Sequence, residues 1–338
     1  MQYKSVKGFS GLGQLGLLIL FLGVGFILTA IAQIIIGMKM MPAGTSIFAS
    51  PDLLMKAMMD PENIGLARLM QVAGTLFLLF IPAVLYSWVT NGKNKFWLGF
   101  NKYLNGYQIL IGFFIIFAAN VMAAPLADFS KSIIAHFPRV DMIAKNMEDA
   151  YNAQVLALSN LKSWPEFLMA IVIIAFFPAM FEEVFFRGAL QNLLVRWWKN
   201  PFISILVTSL VFSLIHMSVY LFLSRAVLGF ILGLLYYKSK NIWVNIIAHF
   251  LNNAIAVAQL FYMSNRTEKL DLNKLDPSYP WWVGLIALGV LMFLFTMLNK
   301  FSISNRLKIN AQEQLLVQKE DPFRSFANAD NNYSAGEN

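Results

Sequence analysis

The sequence predicts an all-α protein that crosses a membrane several times, and two observations support this fold class. Of the 338 residues, 58% are apolar or aromatic and only 13% are charged, against roughly 25% charged residues in an ordinary soluble domain. The apolar residues are also gathered into long runs, and runs of about 20 residues with almost no charge are typical of membrane-spanning helices. Together these features exclude a disordered chain, a coiled coil and an ordinary cytosolic enzyme.

Eight apolar segments are candidate membrane spans, so we expect about eight transmembrane helices. They are residues 12–37, 65–89, 107–126, 165–187, 201–218, 220–237, 242–262 and 281–299. The fifth and sixth segments are short, and the break between them is not sharp, so they can be two tight spans or a re-entrant pair. The first run is longer than the apolar part of a signal peptide, and we expect it to be a span.

The spans form one predicted transmembrane domain over residues 1–300, followed by a polar tail over 301–338 that we expect to be disordered and cytoplasmic. In the loop 127–164, apolar residues recur at roughly helical spacing, with charged residues between them. This pattern predicts an amphipathic helix on the outer surface of the membrane domain. The sequence shows no separate soluble catalytic domain, so any chemistry must take place in or between the spans.

The charges in the loops predict the orientation of the chain. Four loops contain lysine or arginine but no acidic residue, namely 1–11, 90–106, 188–200 and 238–241. Such loops lie on the cytoplasmic side of membrane proteins, which predicts a multi-pass protein of the inner or plasma membrane with both termini cytoplasmic. This topology accounts for the net charge of +8, so the bilayer rather than nucleic acid is the expected partner.

A few ionisable side chains lie inside the predicted spans, where a charge is costly and therefore suggests function. Span four carries Glu182, Glu183 and Arg187 near its end. Glu183 and Arg187 are four residues apart, so they share a helix face and can form an ion pair. Glu182 is rotated by about 100° from its neighbour and needs another partner, for which His216 and His249 of later spans are candidates.

Polar and small residues on spans six and seven extend this set. Asn245, His249 and Asn253 are spaced by four and form one polar stripe, while Gly229 and Gly233 form a face that permits close helix approach. Each feature also has a structural interpretation, such as a buried ion pair, a packing histidine or an asparagine that joins two helices. Their convergence on neighbouring spans favours a site that moves protons and stabilises an oxyanion.

Three short motifs contain most of these residues. Residues 182–187 read Glu-Glu-Val-Phe-Phe-Arg, 212–216 read Phe-Ser-Leu-Ile-His, and 249–253 read His-Phe-Leu-Asn-Asn. In this order, each within an apolar segment, they resemble the motifs of the CPBP (Abi) family, the CAAX-type prenyl-protein endopeptidases and bacteriocin-processing enzymes. The resemblance covers about residues 165–262 and implies a helical intramembrane peptidase with a buried catalytic core from spans four to seven.

The resemblance implies a role for each residue of the first two motifs. Glu182 would activate a water molecule as the general base, and Glu183 would support the site and pair with Arg187. His216 would help to hold the water or the base. Phe212, the first residue of the second motif, is expected to contact the substrate.

The third motif would supply the oxyanion site, since His249 and Asn253 would stabilise the negative charge that develops on the substrate. Asn252 is expected to contact the substrate. The implied partner is a peptide or protein substrate, with or without an attached lipid. Cleavage is expected near the cytoplasmic face, because span four would run from outside to inside and carry its carboxylates towards the inner end.

Other chemistries and functions remain open. The chain has no cysteine, which excludes a thiolate nucleophile, and no cofactor is expected to be required. The carboxylates and the two histidines can also supply three ligands to a divalent metal such as zinc, although the missing His-Glu-x-x-His spacing disfavours this. The alternatives to an enzyme are a non-catalytic scaffold or bacteriocin immunity protein that keeps the motifs, and a proton-coupled transporter.

Overall fold

The computed structural model describes residues 3–42, 44–45, 51–158, 161–265 and 279–320. Apart from one short 3-10 turn, these residues form ten helices and no β-strand. The helices are α1 (Gly11–Met40), α2 (Pro51–Met59), α3 (Pro61–Thr90), α4 (Gly106–Ile134), α5 (Pro138–Leu158), α6 (Trp164–Trp198), α7 (Pro201–Leu214), α8 (Phe222–Ser239), α9 (Ile242–Ser264) and α10 (Trp281–Glu320).

Seven of these helices, α1, α3, α4, α6, α8, α9 and α10, are long and apolar enough to cross a membrane, which confirms the predicted all-α, multi-pass architecture. The structure differs from the prediction at the fifth span, 201–218. Helix α7 has only 14 residues, or about 21 Å, which is less than the roughly 30 Å of a hydrocarbon core. It stops because the chain reverses in a turn over residues 215–221, where Met217 has φ = 51°.

Helices α7 and α8 form a tight hairpin on either side of this turn, as the small-residue face predicted. A Cβ atom on Gly229 would lie 3.1 Å from Cδ1 of Phe212, and one on Gly233 would overlap α7. Helix α6 uses the carbonyl groups of both glycines. Arg187 Nη2 donates to the carbonyl of Gly229 at 3.1 Å, and Gln191 Nε2 donates to that of Gly233 at 3.0 Å.

Helix α6 is longer than the span predicted over residues 165–187. It is continuous over 35 residues, so Glu182 and Glu183 lie near its middle rather than near its end. Arg187 does not mark the membrane surface, because it is buried and paired with Glu183 inside the bundle. The stretches Ile171–Phe176 and Val184–Gln191 have π-helical geometry, which is frequent at functional sites, and they lie on either side of the two glutamates.

The four loops that carry only basic charges meet at one end of the bundle, which we call the basic end. The contacts that join them are the Lys7 N–H to the Thr90 carbonyl at 3.1 Å, the Asn101 Nδ2 to the Lys240 carbonyl at 2.9 Å, and the packing of Gly188 on the Leu98 carbonyl. A Cβ atom on Gly188 would lie 2.7 Å from this carbonyl oxygen. The alternation of charge along the sequence therefore corresponds to a single surface in the fold.

Helix α10 continues beyond the predicted boundary at residue 300. Residues 301–320 of the predicted disordered tail are helical, and the rest of the tail lies outside the described residues. This part of the helix has specific partners in the bundle, which composition alone does not reveal. Arg196 Nη2 lies 3.0 Å from Glu313 Oε1, and Gln108 Nε2 donates to Ser302 Oγ at 2.8 Å.

Helix α5 lies within the segment predicted to form an amphipathic helix, and it packs on the turn between α7 and α8. Tyr220 Oη donates to Asp141 Oδ1 at 2.6 Å, and Ser218 Oγ donates to Glu148 Oε2 at 2.9 Å. The hydrogen bond that Tyr220 donates to Asp141 raises the pKa of Tyr220 to about 12, so this hydroxyl remains a donor at neutral pH. Both contacts lie beside the turn residue His216.

Candidate active site

Glu183 is the centre of a buried polar network, and its side chain has no exposed surface. Its Oε2 atom lies 3.2 Å from Arg187 Nε and accepts a hydrogen bond from Asn245 Nδ2 at 3.1 Å. Its Oε1 atom lies 2.9 Å from His249 Nδ1. Because a carboxylate accepts hydrogen bonds, the proton of this contact belongs to Nδ1 of the histidine. The network holds Glu183 away from water and fixes the orientation of the His249 ring.

Arg187 neutralises the buried charge of Glu183 and is itself almost completely buried. Its Nη2 atom donates to the carbonyl of Gly229, and its guanidinium carbon lies 4.9 Å from the ring centre of Phe212, which is a cation–π distance. Phe212 therefore contacts the ion pair from the side of α7. A buried pair with these extra contacts is tolerable in a membrane interior, whereas either charge alone is not.

Glu182 faces both of the histidines that the sequence offered as its partners. Its Oε2 atom lies 4.0 Å from His216 Nε2 and 3.9 Å from His249 Nε2. These distances are too long for direct hydrogen bonds and fit polar groups that share a water molecule. The side chain of Glu182 is 13% exposed, so small molecules have more access to this carboxylate than to Glu183.

The hydrogen bonds of the two histidines decide which nitrogen atoms face Glu182. His216 Nδ1 lies 2.7 Å from the carbonyl oxygen of Phe212, and a carbonyl can only accept, so Nδ1 must be the donor. The Nε2 atom of a neutral His216 then points its lone pair towards Glu182. In His249, the Nδ1 atom donates its proton to Glu183 in the same way. Its Nε2 atom therefore also faces Glu182.

The turn that presents His216 is held by α8 and α5. Arg225 Nη1 on α8 donates to the carbonyl of His216 at 3.3 Å, and the guanidinium of Arg225 lies 4.9 Å from the ring centre of Tyr151 on α5. Sequence reasoning did not assign Arg225 to the site. No local spacing reveals it, because its partner is a backbone carbonyl in the turn.

The asparagines of α9 are placed differently from one another. Asn252 hydrogen-bonds to Asn120 of α4, so it lies within the third motif and also joins two helices. Asn253 lies one turn beyond His249, and its side chain has no hydrogen-bond partner among the described residues. Asn245, which the sequence placed on one polar stripe with His249, donates hydrogen bonds to Glu183 and to the carbonyl of Leu232. Its spacing of four from His249 is the sequence signal that identifies it.

The arrangement around Glu182 does not have the dimensions of a zinc centre. Two ligand atoms at about 2.0–2.1 Å from a tetrahedral zinc ion lie about 3.3 Å apart. The Glu182 oxygen is 3.9–4.0 Å from both imidazole nitrogen atoms. No group of three or more histidine, cysteine, aspartate or glutamate side chains among the described residues can hold a metal ion.

The motif-bearing helices match a known family. Residues 164–255 match the model of a family described as type II CAAX prenyl endopeptidase Rce1-like. This range begins at the start of α6 and contains all three motifs. It includes Glu182 and Glu183, both histidines and Asn253, and it confirms the resemblance that the motifs predicted.

Two proteins of Bacillus subtilis (strain 168) are similar to parts of the chain. The "Uncharacterized protein YpbD" is 30% identical over 114 residues, which cover 32% of this chain and 53% of that protein. The "Putative membrane peptidase YdiL" is 28% identical over 102 residues, which cover 30% of this chain and 41% of that protein. The chain thus spans about half the length, or less, of these relatives. No solved structure matches the chain.

Proposed function

We propose that the chain is an intramembrane endopeptidase of the CPBP family that hydrolyses a peptide bond, and the match of residues 164–255 to the type II CAAX prenyl endopeptidase Rce1-like model supports this. The observation that carries this proposal is the position of Glu182, whose carboxylate faces the Nε2 atoms of His216 and His249. A second glutamate, buried behind the first, orients one of these rings. Helix packing alone does not require two glutamates and two histidines at one place, and such ionisable side chains are costly to bury in a membrane.

In the proposed reaction Glu182 is the general base. One water molecule, hydrogen-bonded between the carboxylate and Nε2 of His216, gives a proton to Glu182 while its oxygen attacks the carbonyl carbon of the peptide bond. The 4.0 Å separation of these two groups leaves room for such a shared water. Proton transfer to a positioned base of this kind contributes about 10²- to 10⁴-fold to a rate.

The tetrahedral intermediate carries an oxyanion, which His249 and Asn253 stabilise as hydrogen-bond donors. Donation from Nε2 of His249 requires a proton on this atom in addition to the one on Nδ1, so in the proposed reaction the ring is an imidazolium throughout the cycle and neither gains nor loses a proton. Glu182 then delivers its proton to the nitrogen of the leaving group, and the carbon–nitrogen bond breaks. A carboxyl product and an amine product leave, and the Glu182 carboxylate is restored.

We propose that this reaction needs no metal ion and takes place in the cytoplasmic half of the membrane. The wide spacing of Glu182 from both imidazoles supports water activation by the carboxylate itself. The orientation rests on the basic end, whose loops carry the positive charges typical of the cytoplasmic side. Gly188 packs at this end, and Glu183 lies five residues before it, or about 7.5 Å along a helix.

The function is tested by asking which protein ends depend on Glu182 in cells. New N-termini in the membrane proteome are compared between cells that express the wild-type chain and cells that express Glu182→Ala. We expect at least one full-length membrane protein to accumulate in the variant, with loss of the matching cleaved end.

The matched control is Glu166→Gln, since Glu166 lies in the partly exposed first turn of the same helix and glutamine preserves its capping interaction. This variant is expected to leave all cleaved ends unchanged. The peptidase assignment is wrong, and a non-catalytic scaffold is favoured, if the wild-type and Glu182→Ala chains are present in equal amounts and no cleaved N-terminus differs between them.

A further inference from the structure

A second polar cavity lies at the basic end, outside the candidate active site. It has a volume of about 310 Å³, at the lower end of the range for small-molecule sites. It is bounded by the loop after α3, the last part of α6, the end of α8 and the extension of α10. Its polar lining includes Gln191, Arg196, Tyr236, Lys240 and Glu313. We call it the basic-end cavity.

The cavity has an excess of positive charge. Arg196 pairs with Glu313 at 3.0 Å, but Lys240 has no ion pair with a carboxylate among the described residues and donates instead to Asn310 Oδ1 at 2.7 Å. Burial lowers the pKa of Lys240, and the charges of Arg196 and Arg306 lower it further, while Glu313 opposes this shift. The charged lining thus contains two cations, Arg196 and Lys240, and one carboxylate. An additional anion in the cavity would relieve the mutual repulsion of the cations.

The inner wall of the cavity offers one acceptor and one donor that the protein does not use. Gln191 is 1% exposed, and its Oε1 atom has no hydrogen-bond partner among the described residues. Tyr236 Oη accepts a hydrogen bond from Asn192 Nδ2 at 2.8 Å, and its own proton has no acceptor in the described part of the chain. A buried unsatisfied amide oxygen is costly, so a ligand with a hydroxyl donor would stabilise it.

These groups define the chemistry of a ligand. It carries a phosphate for Arg196, Lys240 and the hydroxyl of Tyr236, and a hydroxyl group for Gln191. Basic pockets between transmembrane helices on the cytoplasmic side typically bind anionic lipid headgroups. We propose that the basic-end cavity binds the headgroup of an anionic phospholipid that bears both a phosphate and a free hydroxyl, as phosphatidylglycerol does.

The position of the cavity allows a bound lipid to affect the active site through the packing of α6 on α8. Gln191 and Arg187 are one turn apart on α6, and both donate to the carbonyl groups of the glycines on α8. A headgroup bound to Gln191 and Lys240 therefore contacts both helices of this pair. Bound lipid would stabilise the packing of α6 on α8, which also holds Glu183 and Arg187.

The proposal is tested by titrating phosphatidylglycerol and phosphatidylcholine into the delipidated full-length chain in detergent and counting bound lipids by native mass spectrometry. We expect one phosphatidylglycerol to bind about tenfold more tightly than phosphatidylcholine. The double variant Arg196→Gln/Lys240→Gln is expected to lose this preference. The control Lys93→Gln/Lys95→Gln also removes two charges from the basic end, at exposed positions, and is expected to keep the preference.

A third variant guards against an effect of misfolding. Glu313→Gln removes the carboxylate that competes with the headgroup for Arg196, so we expect it to raise the affinity for phosphatidylglycerol several-fold. A damaged protein would not bind more tightly. Equal or weaker binding by Glu313→Gln overturns the proposal, as does an unchanged preference in the Arg196→Gln/Lys240→Gln variant.

Competition with soluble ligands distinguishes a lipid site from a site for free phosphate. Inorganic phosphate and glycerol phosphate at millimolar concentrations are expected to leave phosphatidylglycerol bound, because they lack the acyl chains that the surrounding helices contact. If either displaces the lipid at concentrations near its own binding constant, the cavity is a soluble phosphate site and the lipid assignment is wrong.

Discussion

Replacing Glu182 by glutamine is expected to lower kcat/KM for peptide cleavage by about 10²- to 10⁴-fold. Glutamine has nearly the same shape, and its amide can still hydrogen-bond to a water molecule, but it cannot accept the proton that the attacking water must lose. His216 and His249 lie 3.9–4.0 Å from Glu182 Oε2. The other carboxylate that contacts one of these rings, Glu183, is bound to Nδ1 of His249 and to Arg187. It therefore cannot replace Glu182 as the base. The rate is measured with the purified protein in liposomes and a substrate peptide.

The fold of this variant should be intact, which separates loss of chemistry from loss of structure. Glu182 has no direct hydrogen bond to either histidine at these distances, so its substitution leaves the buried network of Glu183 unchanged. We expect the thermal unfolding of Glu182→Gln to match that of the wild type. Cleavage at the wild-type rate by a folded Glu182→Gln protein would show that another residue is the base.

Replacing Arg187 by methionine is expected to cost about 3–5 kcal/mol of stability, because it leaves the charge of Glu183 buried without its cation. The variant also loses the hydrogen bond to Gly229 and the contact with Phe212. The loss is measured as the change in the free energy of unfolding in detergent, or as a fall in the yield of folded protein.

The double variant Glu183→Gln/Arg187→Met tests the physical reason. Removing both charges leaves no uncompensated ion in the membrane interior, so the double variant is expected to recover a large part of the stability that Arg187→Met loses. If the double variant is less stable than Arg187→Met, the packing of the arginine side chain, and not the unpaired charge of Glu183, is the main contribution of Arg187.

The parts of the site that follow helix periodicity could be predicted from the sequence. Glu183 and Arg187 share a helix face through their spacing of four, and the structure places Arg187 Nε 3.2 Å from Glu183 Oε2. The same rule places Asn245 and His249 together, and both contact Glu183. Periodicity cannot decide how deep a residue lies in the bundle, so the position of Glu182 and Glu183 near the middle of α6 became clear only from the structure.

Contacts between distant segments could not be predicted. Tyr220 bonds to Asp141, 79 residues away, and Ser218 bonds to Glu148, 70 residues away. No local pattern encodes these pairs, although the sequence did predict the amphipathic character of the segment around α5. The helical extension of α10 escaped prediction for the same reason, since polar residues with few aromatics form a helix there only because they contact other parts of the bundle.

The short helix α7 shows a further limit of hydropathy. The sequence from residue 201 to 237 is apolar nearly throughout, and composition does not show where such a run reverses. The reversal is made by Met217 in a left-handed conformation and by the hydrogen bond from Ser213 Oγ to the carbonyl of Phe222 at 2.6 Å. This turn places His216 opposite Glu182, so the feature that was hardest to predict positions a residue of the candidate site.

The most direct test is the cleavage rate of the purified full-length chain in liposomes, measured after dialysis against a metal chelator with metal content determined on the same sample. With a substrate identified in cells, we expect metal-free wild-type protein and Glu166→Gln to cleave at the rate of the untreated protein, while Glu182→Gln cleaves about 10²- to 10⁴-fold more slowly under the same conditions. Absence of cleavage by the wild type, or stoichiometric zinc whose removal abolishes cleavage and whose return restores it, would contradict water activation by Glu182 alone.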